Sequence, residues 1–210
     1  MPEPLSVADL AGERLPLREY RAEFATRQWE ISGQESWKLE RGQYFREPGF
    51  ASWEAFARGD WEQALALIEE ERDFLTEFSA RARAADIGLY RVRVVEEPIA
   101  PYLQWELHLL NLRAECGELI HVVAPDLLRD YEADGPLAEL VTLGPSLLYR
   151  VLYDTSGELA GAVRITEPKT VARAANLARS LYSEGEDLAA FFDRVVAPMP
   201  RPPGERVFGT

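Results

Sequence analysis

Between Leu89 and Val123 the chain reads LYRVRVVEEPIAPYLQWELHLLNLRAECGELIHVV, and no other stretch constrains its folding as tightly. A strand (Leu89 to Val95), a corner marked by Pro98 and Pro101, an apolar helical stretch (Tyr102 to Cys116), a stop at Gly117 and a second strand (Leu119 to Val123) follow in order. Side chains alternate along a strand, so Arg91 and Arg93 share one face. Tyr102 and Glu106 are four apart, which stacks them on a helix. The segment therefore carries both a piece of sheet and most of what could form a polar site.

The flanking sequence supplies the rest of the sheet and its cover. Ser6 can cap a short helix over Val7 to Leu10, and Leu17, Tyr20, Phe24 and Ile31 keep helical spacing across Leu17 to Ile31. Ser36 to Phe45 reads as a strand with Trp37 and Leu39 on one face and Lys38 and Glu40 on the other, closed by the turn Glu47-Pro48-Gly49. Ser52 is placed to cap Trp53 to Arg58, and Asp60 to cap the longest helix, Trp61 to Asp86. Pro125 and Asp126 open a short helix, and Leu137 to Leu143 reads as a further strand. Leu147 to Tyr153 and Leu159 to Ile165, joined by Asp154-Thr155-Ser156-Gly157-Glu158, form a β-hairpin. Glu167-Pro168 opens a helix with an apolar face of Val171, Ala174, Ala175, Ala178, Leu181 and Tyr182. A last short helix spans Asp187 to Val196. The expected fold is α/β (α+β): a single mixed sheet with the antiparallel hairpin 147–153/159–165 and helices packed on it. Residues 1–197 form one domain with an amino-terminal helical extension over about 1–35, and 198–210 a proline-rich tail, extended or disordered.

At 210 residues and 47% hydrophobic content, one sizeable core is expected. Net charge is −13, from 23 basic and 36 acidic residues, with no Lys/Arg block to track a phosphate backbone. Direct nucleic-acid binding is disfavoured, and the acidic surface points to a protein partner with a basic surface. No leader and no apolar run of membrane-spanning length is present, so a soluble, cytoplasmic protein without a membrane association is expected. The lone Cys116 fits a reducing compartment.

No phosphate-binding G-x-x-x-x-G-K-[ST], no dinucleotide G-x-G-x-x-G and no hydrolase elbow occurs; Gly144-Pro145-Ser146-Leu147-Leu148 lacks the closing glycine. His108, Cys116, Glu118 and His121 fall in one window but lack metal-ligand spacing, so neither a metal nor another cofactor is expected. Cys116 ends an apolar stretch, where a thiol is a small hydrophobe rather than a nucleophile. No catalytic residue is assigned. What is left is a cluster of Arg91, Arg93, Tyr102, Glu106, Glu118 and Glu40. Two guanidinium groups on one strand face need carboxylates opposite them, and the ion-paired network this makes is the favoured reading. The alternative is a cleft in which the arginines hold a small anion and Glu106 acts as a base, in a sensor or an enzyme.

The segments Arg91-Val92-Arg93-Val94-Val95, Pro98, Tyr102, Glu106 and Ala114-Glu115-Cys116-Gly117-Glu118, with Tyr153-Asp154 through Gly157 and Gly161 to Glu167-Pro168, resemble an uncharacterised actinobacterial family of domains of unknown function. The likeness covers roughly Trp37 to Phe192. Trp37-Lys38-Leu39-Glu40-Arg41 stands where that family has an R-L-E element, with Lys38 in place of the usual arginine, so no role passes to Lys38. Members are often encoded beside helix-turn-helix regulators, which implies a noncatalytic regulatory or interaction role. The carboxy-terminal half is also loosely similar to noncatalytic phospholipase-D-like domains. The H-x-K-x-x-x-x-D motif of the active enzymes is missing, because His108 and His121 are followed two positions on by Leu110 and Val123.

Overall fold

The computed structural model describes Leu5, residues 10–133 and residues 135–202. One eight-stranded mixed sheet runs through it in the order β1-β7-β6-β5-β2-β3-β4-β8. The strands are β1 (Glu13–Pro16), β2 (Glu35–Glu40), β3 (Gly88–Val94), β4 (Leu119–Val123), β5 (Leu140–Leu143), β6 (Leu147–Tyr153), β7 (Leu159–Ile165) and β8 (Glu186–Asp187). β2, β3 and β4 are parallel neighbours, and the remaining pairings are antiparallel. The helices are α1 (Leu17–Arg27), α2 (Ala51–Ala57), α3 (Trp61–Glu69), α4 (Arg72–Ala84), α5 (Pro101–Cys116), α6 (Pro168–Glu184) and α7 (Leu188–Phe191), the last running into a wider turn over Phe192–Val196.

The expected mixed sheet and hairpin are both present. In β6 and β7, Leu148 pairs with Ile165 and Tyr149 with Arg164, and Asp154 Oδ1 accepts from the Ser156 and Glu158 amides to shape the loop between them. α6 packs Val171, Ala174, Leu177 and Leu181 against Leu39, Val92, Val94, Leu148, Val163 and Ile165, which covers one face of the sheet. The other face carries two separate apolar clusters. α1 and the antiparallel strands build one around Tyr20, Val141, Leu147 and Tyr149, and α5 with β4 and α7 builds the other around Leu103, Leu107, Ile120, Val122 and Leu188. Between them β2 and β3 present charged side chains.

α5 is buried over most of its circumference because the sheet lies on one side and α3 and α4 on the other. Ten of its sixteen residues are buried, and Trp105, Leu109, Leu112 and Cys116 pack against Ala64, Ile68 and Leu75. Gly117 ends it in the left-handed region at φ 117°, as its stop role requires.

Several elements differ from their sequence reading. The single long helix over Trp61 to Asp86 is two, broken at Glu70–Glu71, and the break lets both halves face α5; Arg72 pins the joint by pairing with Glu69 and, at 2.8 Å, with Glu115. The Ser36 to Phe45 strand stops at Glu40 because the Arg41 and Gly42 amides donate to the Glu139 carboxylate, at 3.0 and 2.6 Å, instead of to a neighbouring strand. The strand read from Leu137 starts at Leu140, since the Leu137 amide is taken by Glu132. Ser52 does not cap its helix, which starts at Ala51. The amino-terminal region also contributes a strand, β1, paired with β7. The short helix expected over Val7 to Leu10 falls on residues 7–9, outside the described residues. The tail from Pro198 is docked rather than loose as far as Pro202: Gln104 donates to the Pro200 carbonyl at 3.0 Å and Arg201 pairs with Glu62 at 3.2 Å. Its remainder, 203–210, lies outside the described residues.

Candidate functional site

The charged layer follows from strand register. β2 alternates, so Trp37 and Leu39 enter the α6 side while Ser36, Lys38 and Glu40 face the other. Parallel pairing sets Lys38 opposite Arg91 and Glu40 opposite Arg93. α5 crosses above them, and its spacing brings Tyr102, Glu106 and Arg113 down onto the layer.

All six candidate residues meet here. Arg91 Nε donates to Glu118 Oε1 at 2.8 Å, and its Nη1 reaches Glu40 Oε1. Arg93 donates through Nε to Glu106 Oε2 at 2.8 Å and places Nη2 2.7 Å from the same oxygen, while its Nη1 donates to the Val94 carbonyl at 2.9 Å. The Tyr102 hydroxyl reaches Glu47 Oε1 at 2.7 Å and Glu106 Oε1 at 3.3 Å. Arg93 is 0% exposed and Arg91 5%, so the guanidinium groups are sealed against carboxylates rather than open to a cleft.

The electrostatics follow from this sealing. Against the penalty of burial, Arg91, helped by Lys38 and Arg113, holds Glu118 down at about 2. Burial lifts the Glu106 carboxyl above the ordinary range, and Arg93 offsets only part of that rise. Glu47 and Glu139, at the edge of the layer, are both pushed up to about 7, by burial first and by the neighbouring glutamates after it. The arrangement can hold charge in fixed positions and share protons among acids. Arg91 and Arg93 are each paired with carboxylates inside it.

Sequence reasoning missed Glu47, Glu139 and Arg113. Glu47 reads as part of a turn, and Glu139 as an ordinary strand residue. Arg113 was within reach, because it follows Glu106 by two helical turns on the same face of α5. The window of His108, Cys116, Glu118 and His121 does not converge. His108 packs edge-on against Trp61 and Phe192, and His121 stacks on Tyr182 at 3.7 Å on the α6 side of the sheet with Nδ1 2.7 Å from the Tyr182 carbonyl. The Cys116 thiol lies against Thr76 and the Arg72 carbonyl. Among the described residues no helix is long and apolar enough to cross a membrane.

No curated protein and no solved structure matches this chain. A family profile does, over residues 22–193, which takes in the whole charged layer, α5 and the hairpin. The chain belongs to the domain-of-unknown-function family DUF6879.

Proposed function

We propose that this chain is a cytoplasmic, noncatalytic interaction protein whose acidic face engages a partner with a basic surface, such as a helix-turn-helix regulator. The observation that carries this reading is Phe74, a large aromatic side chain 61% exposed on α4. Around it stand Glu70, Glu71, Asp73 and Glu77, none of which makes an ion pair among the described residues. Its ring leads inward to Phe78, with centroids 6.3 Å apart, and Phe78 to Trp29 at 4.9 Å. An exposed aromatic anchor ringed by unpaired carboxylates is complementary to an apolar side chain flanked by lysines or arginines. The arginine cluster supports the same reading from the other side, because Arg91 and Arg93 are buried against Glu40, Glu118 and Glu106 rather than open to a substrate anion.

Binding to a helix-turn-helix regulator encoded beside the gene tests it. Phe74→Ser and Glu77→Lys should each weaken binding by at least tenfold and leave stability within about 0.5 kcal/mol, as expected of exposed positions. Affinity should fall with added salt. Binding that is absent, or that ignores both substitutions and salt, contradicts the proposal.

A further inference from the structure

Behind Trp29 and Phe78 lies a cavity of about 40 Å³, bounded by Phe24, Ile87, Leu89 and Tyr90 and by the polar side chains of Gln28, Ser36, Lys38, Arg113 and Glu118, the last already paired with Arg91. It has room for about three water molecules, taking 10–15 Å³ for each. Lys38 enters from β2. Its ammonium makes no hydrogen bond or ion pair among the described residues, unlike every arginine of the layer beside it. Arg113 enters from α5 and touches Glu118 only at 3.5 Å. Around this space three cations, Lys38, Arg91 and Arg113, face two carboxylates, Glu40 and Glu118, and Arg91 is spent on both. In a chain of net charge −13 this is a local cationic surplus, with Lys38 and Arg113 half-buried beside apolar side chains.

Lys38 is half-buried, and an ammonium partly withdrawn from water with no carboxylate in hydrogen-bond reach is a ready partner for an anion. We infer that this cavity binds a short-chain carboxylate of acetate or propionate size, its carboxylate held by Lys38 and Arg113 and its alkyl end against Phe24, Phe78, Ile87 and Leu89. The mouth is at α1, where Phe24, Gln28 and Trp29 are half-buried. Burial, with Arg91 and Arg113 nearby, brings the Lys38 amine down to about 8, so it still carries its proton at neutral pH and would hold it more firmly beside a bound anion. The inference is independent of the partner face, since it uses neither Phe74 nor the carboxylates around it.

The chain has two lysines, Lys38 and the exposed Lys169, so selective carbon-13 labelling of lysine gives one signal from the site and one internal control. Sodium acetate and sodium propionate are exchanged for sodium chloride at constant ionic strength. The expected result is a saturable shift of the Lys38 signal with Lys169 unmoved, and no such shift in Gln28→Trp, which fills the mouth without touching the charged groups. Lys38→Met assigns the signal, and Gln28→Trp keeps the test decisive even where the loss of Lys38 unfolds the chain. A Lys38 signal that does not shift, that shifts no more than Lys169, or that shifts equally in Gln28→Trp overturns the assignment.

Discussion

Trp105 is fully buried, and its indole N–H donates to Ser52 Oγ at 2.9 Å while the Ser52 hydroxyl donates to the Ala64 carbonyl at 2.8 Å. One hydroxyl thus ties α2, α3 and α5 together. Ser52→Ala leaves a buried donor and a buried acceptor without partners and should cost about 1–3 kcal/mol, read by urea unfolding. A loss below about 0.5 kcal/mol would show that the tie carries no weight. Ser52 also marks what is legible at this scale. Its sequence position suggests a helix cap, a local role, whereas its partners stand 12 and 53 residues away. The candidate cluster divides in the same way. Arg91 and Arg93 sharing a face and Tyr102 stacking on Glu106 follow from local periodicity. That Glu40 belongs to Arg91 depends on the parallel pairing of β2 with β3, and that Glu106 belongs to Arg93 on how α5 crosses β3, and no local pattern encodes either.

Elements with a complete local signal match their sequence boundaries: β4 at Leu119–Val123, and the hairpin strands at Leu147–Tyr153 and Leu159–Ile165. Each has a stop or turn residue at its edge and enough length for alternation to register. β1 and β8, four and two residues long, are too short to show a period, and they exist because neighbouring strands offer free edges. The end of β2 was hidden for another reason, since a carboxylate from the segment before β5 displaces the strand partner. That carboxylate has a consequence for stability. Glu47 and Glu139 hold protons in the folded chain up to about 7, but release them near 4.5 when unfolded. Between those values the folded state binds more protons, so their contribution to stability is lost as pH rises through the window. The double variant Glu47→Gln/Glu139→Gln should therefore be more stable than wild type at pH 8 and close to it at pH 5. Comparing the two proteins removes the opposite contribution of His108, whose burial lowers its pKa. Equal differences at both pH values would contradict the assignment.

At the scale of the whole molecule, the unusual feature is a charged layer inside the sheet–helix sandwich, with apolar clusters to either side of it. Burying ion pairs does not maximise stability, because desolvation offsets most of the attraction. Its structural effect is to fix β2, β3 and α5 in one register, since a slip of one residue would strand a guanidinium against leucine. The −13 charge is a property of the whole particle, and the proposed basic partner is the one it would attract. This account of the layer rests on Arg91 and Arg93 being structural rather than ligand-bearing. A double-mutant cycle on Arg93 and Glu106, followed by urea unfolding, tests that claim most directly. Arg93→Ala and Glu106→Ala should each cost roughly 3–5 kcal/mol by leaving an uncompensated charge behind, and the double variant should recover a large part of the summed loss. A coupling energy near zero, or an Arg93→Ala variant more stable than wild type, would contradict the network and return the cluster to the role of an anion-binding site.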